Sequence, residues 1–455
     1  MKKFYFFIFL FFIFGCNVIT DTNKDNSNIL HKNIISTYFY IGEDASKDND
    51  NIDNISSAWD ENWSIHYGGI DDPNDRNQSF IYYPATFIPK ENPFYVALPY
   101  NDFDDNGNKK PDLKKIIPWY IATYQSLMKN RWVKITKNDK TVYAQIEDAG
   151  PFEYNDWQYV FGPSNPINTF GAKAGIDVSP AVKLYLGLKD VDKVDWKFVN
   201  SDDVPDGPWK NIITTRGVTW LNKTWPQFDI NTTAEIQLTN DINTSYDVNL
   251  YDIDLFDTPT DTIDELHKEG RKVICYFSAG SYEDWREDKN EFPQEAIGKK
   301  MADWDENWLD IRNKKVREIM KKRLDLAKIK GCDGVDADNV DGYTNDTGFN
   351  LTYQDQLKYN IFLAYEAHKR GLSIGLKNDL NQINDLSMYF DFAINEQCYE
   401  YNECNLLTPF VLQNKPVFNI EYTEDDSICD QSDKLQIQTI FLPKNLDGSF
   451  RNSCH

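Results

Sequence analysis

The strongest constraint on the fold is an alternation of short apolar strands with helical segments that runs from Gly217 to the end of the chain. Eight alternating units in about 240 residues are typical of a TIM barrel, so an α/β (β/α)8 barrel is predicted for residues 217–455. A doubly wound open sheet is the alternative, but no glycine-rich phosphate fingerprint follows the first strand. The eight strands are predicted at 218–220, 248–254, 272–277, 331–336, 372–376, 390–394, 416–420 and 435–442.

The region ahead of this alternation has a different texture. From Ala58 to about Pro205, short aromatic and β-branched runs alternate with Gly, Pro, Asn and Asp, as in residues 80–83 and 132–135. This pattern is typical of strands joined by turns. An all-β domain is therefore predicted over residues 58–210.

The N-terminus indicates export. Residues 1–16 combine two lysines, an apolar run and Gly15-Cys16, which resembles a bacterial lipobox. The apolar run is too short to span a bilayer. We expect a signal peptide at 1–15, a lipidated Cys16 and a polar tether over 16–57, with the protein held on the periplasmic or extracellular face of the cell envelope. A plain secretory signal with an incidental cysteine is the alternative.

Six further cysteines fit an exported protein. They lie between Cys275 and Cys454, and an even number in an oxidising compartment favours disulfides. Cys398 and Cys404 form the favoured local pair. Because the chain has no CxxC motif and only five widely spread histidines, no metal site of His and Cys ligands is expected.

The charge balance limits the partners. With 72 acidic and 48 basic residues, the formal net charge is −24, which argues against nucleic acid and against electrostatic docking on anionic lipid. Cationic or neutral substrates remain. The aromatic content of 15% suits sugar rings as well as ordinary cores.

Carboxylates gather where the predicted barrel strands end. Asp252 with Asp254, and Asp336 with Asp338, are two residues apart and share a face of an extended strand. TIM barrels carry their chemistry at this edge. Two juxtaposed carboxylates are what glycoside hydrolysis needs, one as nucleophile or base and the other as acid. Helix capping is the alternative role, and it is favoured for Asp333, Asp341 and Asp379.

Four blocks of sequence carry a family resemblance. Residues 274–281 with Trp285-Arg286, residues 331–342, residues 375–379 and residues 395–398 together resemble glycoside hydrolase family 114, the endo-α-1,4-polygalactosaminidase-like TIM barrels. The resemblance covers about 218–422. It implies cleavage of an α-1,4-linked galactosamine-containing polysaccharide within the chain, by a monomer that needs no metal or organic cofactor.

The resemblance also implies the site. The catalytic pair falls on Asp338, as nucleophile, and Glu396, as general acid/base. Asp336 is the alternative nucleophile and Glu421 the alternative acid. The remaining substrate-binding residues are expected to be Asp252, Asp254, Tyr276, Lys377, Asn378 and Tyr422, so that an acidic mouth would concentrate a cationic, deacetylated polymer.

A second resemblance lies in the first domain. Residues 146–152, 175–182 and 186–188 resemble the double-psi β-barrel of the rare lipoprotein A and expansin group. The resemblance implies a glycan-active or glycan-binding site at Asp148 and Asp177. Lytic members also use a histidine, and none lies between these two residues. The alternative is that both side chains hydrogen-bond the crossing loops.

The sequence therefore predicts a lipid-anchored glycoside hydrolase with a double-psi β-barrel ahead of a TIM barrel. Two alternatives stay open. One is a lipoprotein that binds glycans without cleaving them, and the other is cell-wall lysis by the first domain.

Overall fold

The fold was analysed in a computed structural model that describes residues 29–49, 51–423 and 426–454. The predicted signal peptide, the lipidated Cys16 and the first part of the tether lie outside the described residues. Across those three ranges, no helix combines the length and the apolar character needed to cross a membrane.

Six strands of the N-terminal half close into a barrel in the order β1-β5-β2-β4-β3-β6. β1 pairs with β5, and β2 with β4, in parallel, and the other pairs are antiparallel. Its apolar core includes Val96, Val133 and Trp196, all fully buried. The double-psi connection of these strands stays a prediction. The elements are β1 His31–Tyr38, β2 Tyr95–Leu98, β3 Trp132–Lys137, β4 Lys140–Ala149, β5 Ile176–Val178 and β6 Asp192–Val199, with helices α1 Trp63–Tyr67, α2 Leu113–Ile116, α3 Trp157–Val160 and α4 Pro180–Leu186.

Strand β1 corrects the predicted tether. Residues 16–57 were expected to be solvated throughout because they are rich in polar residues, yet residues 31–38 form a barrel strand between β5 and β6. Ile34 and Ser36 are buried in it. A strand with one buried face needs only every second side chain to be apolar or small. The overall polar composition of the segment therefore gave no indication of strand β1.

The C-terminal half is built on a sheet of nine strands in the order β18-β17-β16-β15-β14-β13-β9-β8-β7, in which all neighbours except β18 are parallel. A separate three-stranded sheet, β10-β12-β11, lies after β9 in the chain. The strands are β7 Ala234–Gln237, β8 Leu250–Asp254, β9 Lys272–Ser278, β10 Ser281–Tyr282, β11 Ile297–Lys300, β12 Asn307–Leu309, β13 Gly334–Asp338, β14 Ser373–Lys377, β15 Phe392–Glu396, β16 Val417–Glu421, β17 Gln438–Phe441 and β18 Asn452–Ser453.

The first predicted strand of this half is wrong. Residues 218–220 form no strand. The first of the eight parallel strands is β7, which begins about fifteen residues later. Val218 packs in the core of the first barrel and its amide donates to Gln125 Oε1 at 2.7 Å. Trp220 meets the ring of Phe103, with the ring centroids 4.8 Å apart. The apolar side chains of this run therefore pack in or against the core of the first barrel and not in the C-terminal sheet.

Two apolar layers hold the large sheet. The inner layer brings together residues of the first and last parallel strands, such as Ile236 and Ile440, as a rolled sheet requires. Gln438 Oε1 also accepts from the amide of Ala234 at 2.9 Å. The outer layer packs the sheet against its helices. These helices are α5 Thr260–Lys268, α6 Lys314–Lys330, α7 Tyr353–Lys369, α8 Ile383–Leu386, α9 Thr408–Val411 and α10 Cys429–Leu435.

Three disulfides lie in this half. Cys398–Cys404 forms as predicted, and the other two are Cys275–Cys332 and Cys429–Cys454. The first of these others links β9 to the turn before β13. The disulfides therefore tie down neighbouring parts of the sheet whose carboxyl ends carry the candidate site.

Candidate active site

Lys377 lies at the centre of the candidate site. It ends β14, between β13, which ends at Asp338, and β15, which ends at Glu396. Its Nζ lies 3.4 Å from Asp338 Oδ1, 3.8 Å from Glu396 Oε2 and 3.7 Å from Asp336 Oδ2. Burial alone would lower the pKa of Lys377, but attraction by Asp338, Glu396 and Asp336 outweighs it and raises the pKa well above the usual value. The lysine therefore stays charged.

Asp338 is held in place by several hydrogen-bond donors. Tyr276 Oη donates to Oδ2 at 2.9 Å and the amide of Asn339 donates to Oδ1 at 2.7 Å. The backbone carbonyl of Asp338 accepts from the amides of Ala279 and Gly280. A Cβ on Gly280 would lie 1.7 Å from the carbonyl oxygen of Asn339, so only glycine fits there. The Ser-Ala-Gly-Ser turn thus holds the loop that carries Asp338.

Glu396 is oriented by a matching set of contacts. Tyr422 Oη donates to its Oε1, and Asn378 Nδ2 donates to its Oε2 at 3.1 Å. Asn378 Oδ1 in turn accepts from the backbone amide of Glu396 at 3.0 Å. Burial and then Glu396 raise the pKa of Tyr422, so this hydroxyl keeps its proton. Both Glu396 and Asp338 remain partly exposed to the space above them.

Two more carboxyls lie buried beneath this pair. Burial, and then repulsion from Asp336, raises the pKa of Asp252 well above its usual value. Burial raises the pKa of Asp336 to about 7 in spite of Lys377. Neither oxygen of Asp252 has a donor among the described residues, as expected for a carboxyl that holds a proton. At neutral pH the cluster therefore carries fewer charges than its four carboxyls could.

Glu396 lines two cavities. The larger holds about 820 Å³ above Asp338 and Lys377, and its walls include Trp285, Trp304 and Glu306. The smaller holds about 320 Å³ and is lined by Gln397 and Tyr401 among others. Both share Asp341, Asn378 and Glu396. Trp285, Trp304 and Tyr401 are exposed, so their ring faces are accessible to a ligand.

The larger cavity is acidic. Ten carboxylates line it, against five lysines and arginines. Most of these cations are already paired, as Arg286 is with Asp254 at 2.6 Å and Lys299 with Asp346 at 2.6 Å. Over the described parts of the chain, no group of three or more His, Cys, Asp or Glu side chains is arranged to hold a metal ion.

Two opposed carboxylates at the carboxyl ends of parallel strands can serve as the nucleophile and the acid of glycoside hydrolysis. The sequence model of glycoside-hydrolase family GH114 matches residues 217–455, more than half of the chain. The chain belongs to this family. Its GH114 domain is accordingly a TIM-barrel glycoside hydrolase.

Solved structures are also similar to the chain. The crystal structure of Aspergillus fumigatus Ega3 in complex with galactosamine is 42% identical, with a TM-score of 0.49, over 52% of this chain and 100% of that one. The glycoside hydrolase domain of PelA from Pseudomonas aeruginosa is 13% identical, with a TM-score of 0.41, over 48% of this chain and 96% of that one. None of the curated proteins compared with the chain matches it.

The structure brings most of the predicted GH114 site together. Asp338, Glu396, Tyr276, Lys377, Asn378 and Tyr422 all line the larger cavity. Asp254 lines it too, although its carboxylate is paired with Arg286.

Three predicted substrate-binding residues need correction. Asp252 and Asp336 lie below the cavity floor, each 1% exposed, and cannot contact a substrate. Glu421 is buried and accepts from the amide of Tyr399 and from Asn419 Nδ2, both at 2.9 Å. Neighbouring residues of a strand face opposite sides, so Glu421 points away from the cavity that Tyr422 lines.

Seven of the ten carboxylates of the larger cavity were not assigned to the site by sequence reasoning, and Asp341 and Glu306 are two of them. Asp341 was assigned to helix capping, but its side chain caps nothing in the short 3₁₀ turn that follows it. Glu306 comes from the loop before β12 and accepts from Ser281 Oγ. Asp341 could have been found from its spacing, since it follows Asp338 by three residues. Glu306 had no such signal.

Of the two candidate site residues in the first barrel, Asp148 lines a cavity that Asp177 does not line. Asp148 and Asp177 lie on the two strands that flank β2, both opposite Ala97. Asp148 Oδ1 accepts from the amides of Ala58 and Ala149, and burial raises its pKa to about 7. Asp177 accepts from the Thr37 hydroxyl. A cavity of about 610 Å³ is lined by Asp148, whereas Asp177 is absent from its lining.

Proposed function

We propose that the GH114 domain hydrolyses an α-1,4-linked galactosamine polymer, and that it cleaves bonds inside the polymer rather than at its ends. The observation that carries this proposal is the pair of opposed carboxylates, Asp338 and Glu396, that share Lys377 at the floor of an acidic cavity. A deacetylated galactosamine polymer is cationic, so the excess of carboxylates would concentrate it.

In the proposed reaction, Glu396 donates its proton to the glycosidic oxygen while a carboxylate oxygen of Asp338 attacks the anomeric carbon. The bond to the leaving sugar breaks and a glycosyl ester forms. Glu396 then takes a proton from water, whose oxygen attacks the anomeric carbon and releases Asp338. Tyr276 and the amide of Asn339 donate to the Asp338 carboxylate and orient it for attack. Because each of these two steps inverts the anomeric carbon, the reaction as a whole is expected to retain the α-configuration.

Cleavage within the chain is supported by the two cavities. A polymer that lies across Glu396 could place sugars in both of them, because they share Asp341, Asn378 and Glu396. The smaller cavity is acidic as well, with Asp379 and Glu403 and no lysine or arginine in its lining. An enzyme that cleaved only at the end of the polymer would need only one of these cavities.

The test compares wild type with Asp338→Asn and Glu396→Gln on deacetylated α-1,4-galactosaminan, with reducing ends measured over time. Each variant is expected to lose activity by about 10²–10⁴-fold, the usual contribution of such groups. Asp264→Asn is the control, because it removes a carboxylate from the exposed face of α5. Full activity of either site variant would rule out the assignment, and pulldown of the polymer without any release of ends would favour a binding protein.

The first barrel supports a second, separate proposal, glycan contact at the 610 Å³ cavity beside Asp148. Its test is binding of cell-wall glycan and of galactosaminan by the full chain carrying Glu396→Gln, with and without Asp148→Asn. Weaker binding with Asp148→Asn would support it. Release of muropeptides would instead indicate lysis.

We also propose attachment to the envelope through Cys16, which lies outside the described residues. Three disulfides support an oxidising compartment. With Cys16→Ser, the protein is expected to leave the membrane fraction. Unchanged fractionation would contradict lipid attachment.

A further inference from the structure

Asp341 occupies a position that no other carboxylate of the site has, apart from Glu396. It lies in the loop between β13 and α7, three residues after Asp338. It lines both cavities, as Glu396 does. A polymer that crosses the catalytic pair would therefore pass over Asp341.

Unlike several carboxylates of the same cavity wall, Asp341 forms no ion pair with a described residue. The cavity wall pairs Asp254 with Arg286, Asp346 with Lys299 and Asp305 with Lys300. Across the residues that the structure describes, no lysine, arginine or histidine nitrogen lies within 4.0 Å of the Asp341 carboxylate. The contacts to this residue from Thr344 and Asn345 go to its backbone carbonyl instead.

The groups around Asp341 add negative charge. Asp338 and Glu396 repel its carboxylate, Tyr343 lies nearby, and Lys377 attracts it. Burial and then Asp338 raise the pKa of Asp341 to about 6. It is still mostly ionised at neutral pH. A half-buried carboxylate that is repelled by its neighbours and has no cation in contact gains free energy when a cation binds beside it.

We propose that Asp341 binds the ammonium group of the galactosamine unit next to the scissile bond and thereby selects unacetylated over N-acetylated sugar. This inference rests on the proposed function. An ammonium supplies a positive charge and three donors, whereas an acetamide supplies no charge and would leave the carboxylate unpaired.

The test measures kcat and KM of wild type, Asp341→Asn and Asp341→Glu on matched α-1,4-oligosaccharides, one fully deacetylated and one N-acetylated. With Asp341→Asn, KM for the deacetylated substrate is expected to rise about 10-fold or more, with little change for the acetylated one. Asp341→Glu keeps the charge and should keep most of the preference. Asp264→Asn again controls for the loss of one surface charge.

The pH dependence separates binding from a merely structural role. Below pH 6, wild-type KM for the deacetylated substrate should rise as Asp341 takes up a proton, and with Asp341→Asn this rise should be largely lost. An unchanged KM and an unchanged pH profile in Asp341→Asn would overturn the inference while leaving the proposed function intact. Absence of cleavage by wild type on either substrate would overturn both.

Discussion

At the scale of single residues, one lysine serves several acids. Asp336, Asp338 and Glu396 each lie within 4 Å of Lys377 Nζ, and in the described ranges no other lysine or arginine comes that close to any of them. The lysine itself is 4% exposed. Water can therefore do little to replace its charge, and Lys377 is the cation that the two catalytic carboxyls share.

Lys377→Met is expected to abolish most activity at neutral pH. Lys377 holds down the pKa of the buried Asp252 and Asp336, so without the cation both pKa values should rise and the acid limb of the kcat profile should move up by about one unit or more. The buried acids also lose their partner, at a cost of about 3–5 kcal/mol in the free energy of unfolding. The measurements are kcat against pH and urea unfolding. Lys328→Met, at an exposed position in α6, should change neither, and an unmoved profile for Lys377→Met would contradict this role.

At the scale of elements, β1 shows how a polar segment can be structural. Its amides and carbonyls pair with β5 on one side and β6 on the other, which closes the first barrel. A barrel without this strand would leave two unpaired edges. Residues 31–38 therefore belong to the folded part of the chain rather than to a flexible connection.

Ile34→Ala tests this position of β1. The side chain is 7% exposed and packs in the core of the first barrel, so its truncation should cost about 2–4 kcal/mol in the free energy of unfolding. Ile55→Ala is the control, because Ile55 lies in the same polar region and is 46% exposed. Urea denaturation followed by tryptophan fluorescence measures both. Equal, negligible effects would mean that residues 31–38 do not support the barrel.

At the scale of the whole molecule, folding buries acids in both halves. Burial raises the pKa of Glu91, Asp148 and Glu235 to about 7. Arg451 only partly offsets this effect at Glu235. The unfolded chain would ionise the same groups near pH 4. Between these limits the folded state binds more protons than the unfolded state does.

Stability is therefore expected to fall as pH rises from about 5 to 8. A group whose pKa is raised in the folded state opposes folding once the pH exceeds its unfolded value, and the penalty is complete above its folded value. The formal charge of −24 adds self-repulsion in the same direction. Thermal unfolding should give a Tm several degrees higher at pH 5.5 than at pH 8, by roughly 5 °C. A flat profile, or a higher Tm at pH 8, would contradict this expectation.

Local periodicity made much of the GH114 half predictable. Seven of its eight parallel strands overlap the predicted ranges, because a strand buried on both faces is a short apolar run whatever surrounds it. The carboxylates that follow those runs lie together for the same reason, since parallel strands end at one edge. The double-psi arrangement of the first barrel stays a prediction.

The sequence by itself determined the alternation of strands and helices, the six cysteines from Cys275 to Cys454 and the carboxylates at the strand ends. Only the tertiary structure decided that Lys377 lies between Asp338 and Glu396, that Glu421 faces away while Tyr422 faces the cavity, and that Asp341 forms no ion pair with a described residue. The physical reason is how far apart along the chain the interacting residues lie. Strand and helix patterns follow from neighbours along the chain, whereas pairing, burial and pKa depend on residues that only the fold brings within a few ångströms.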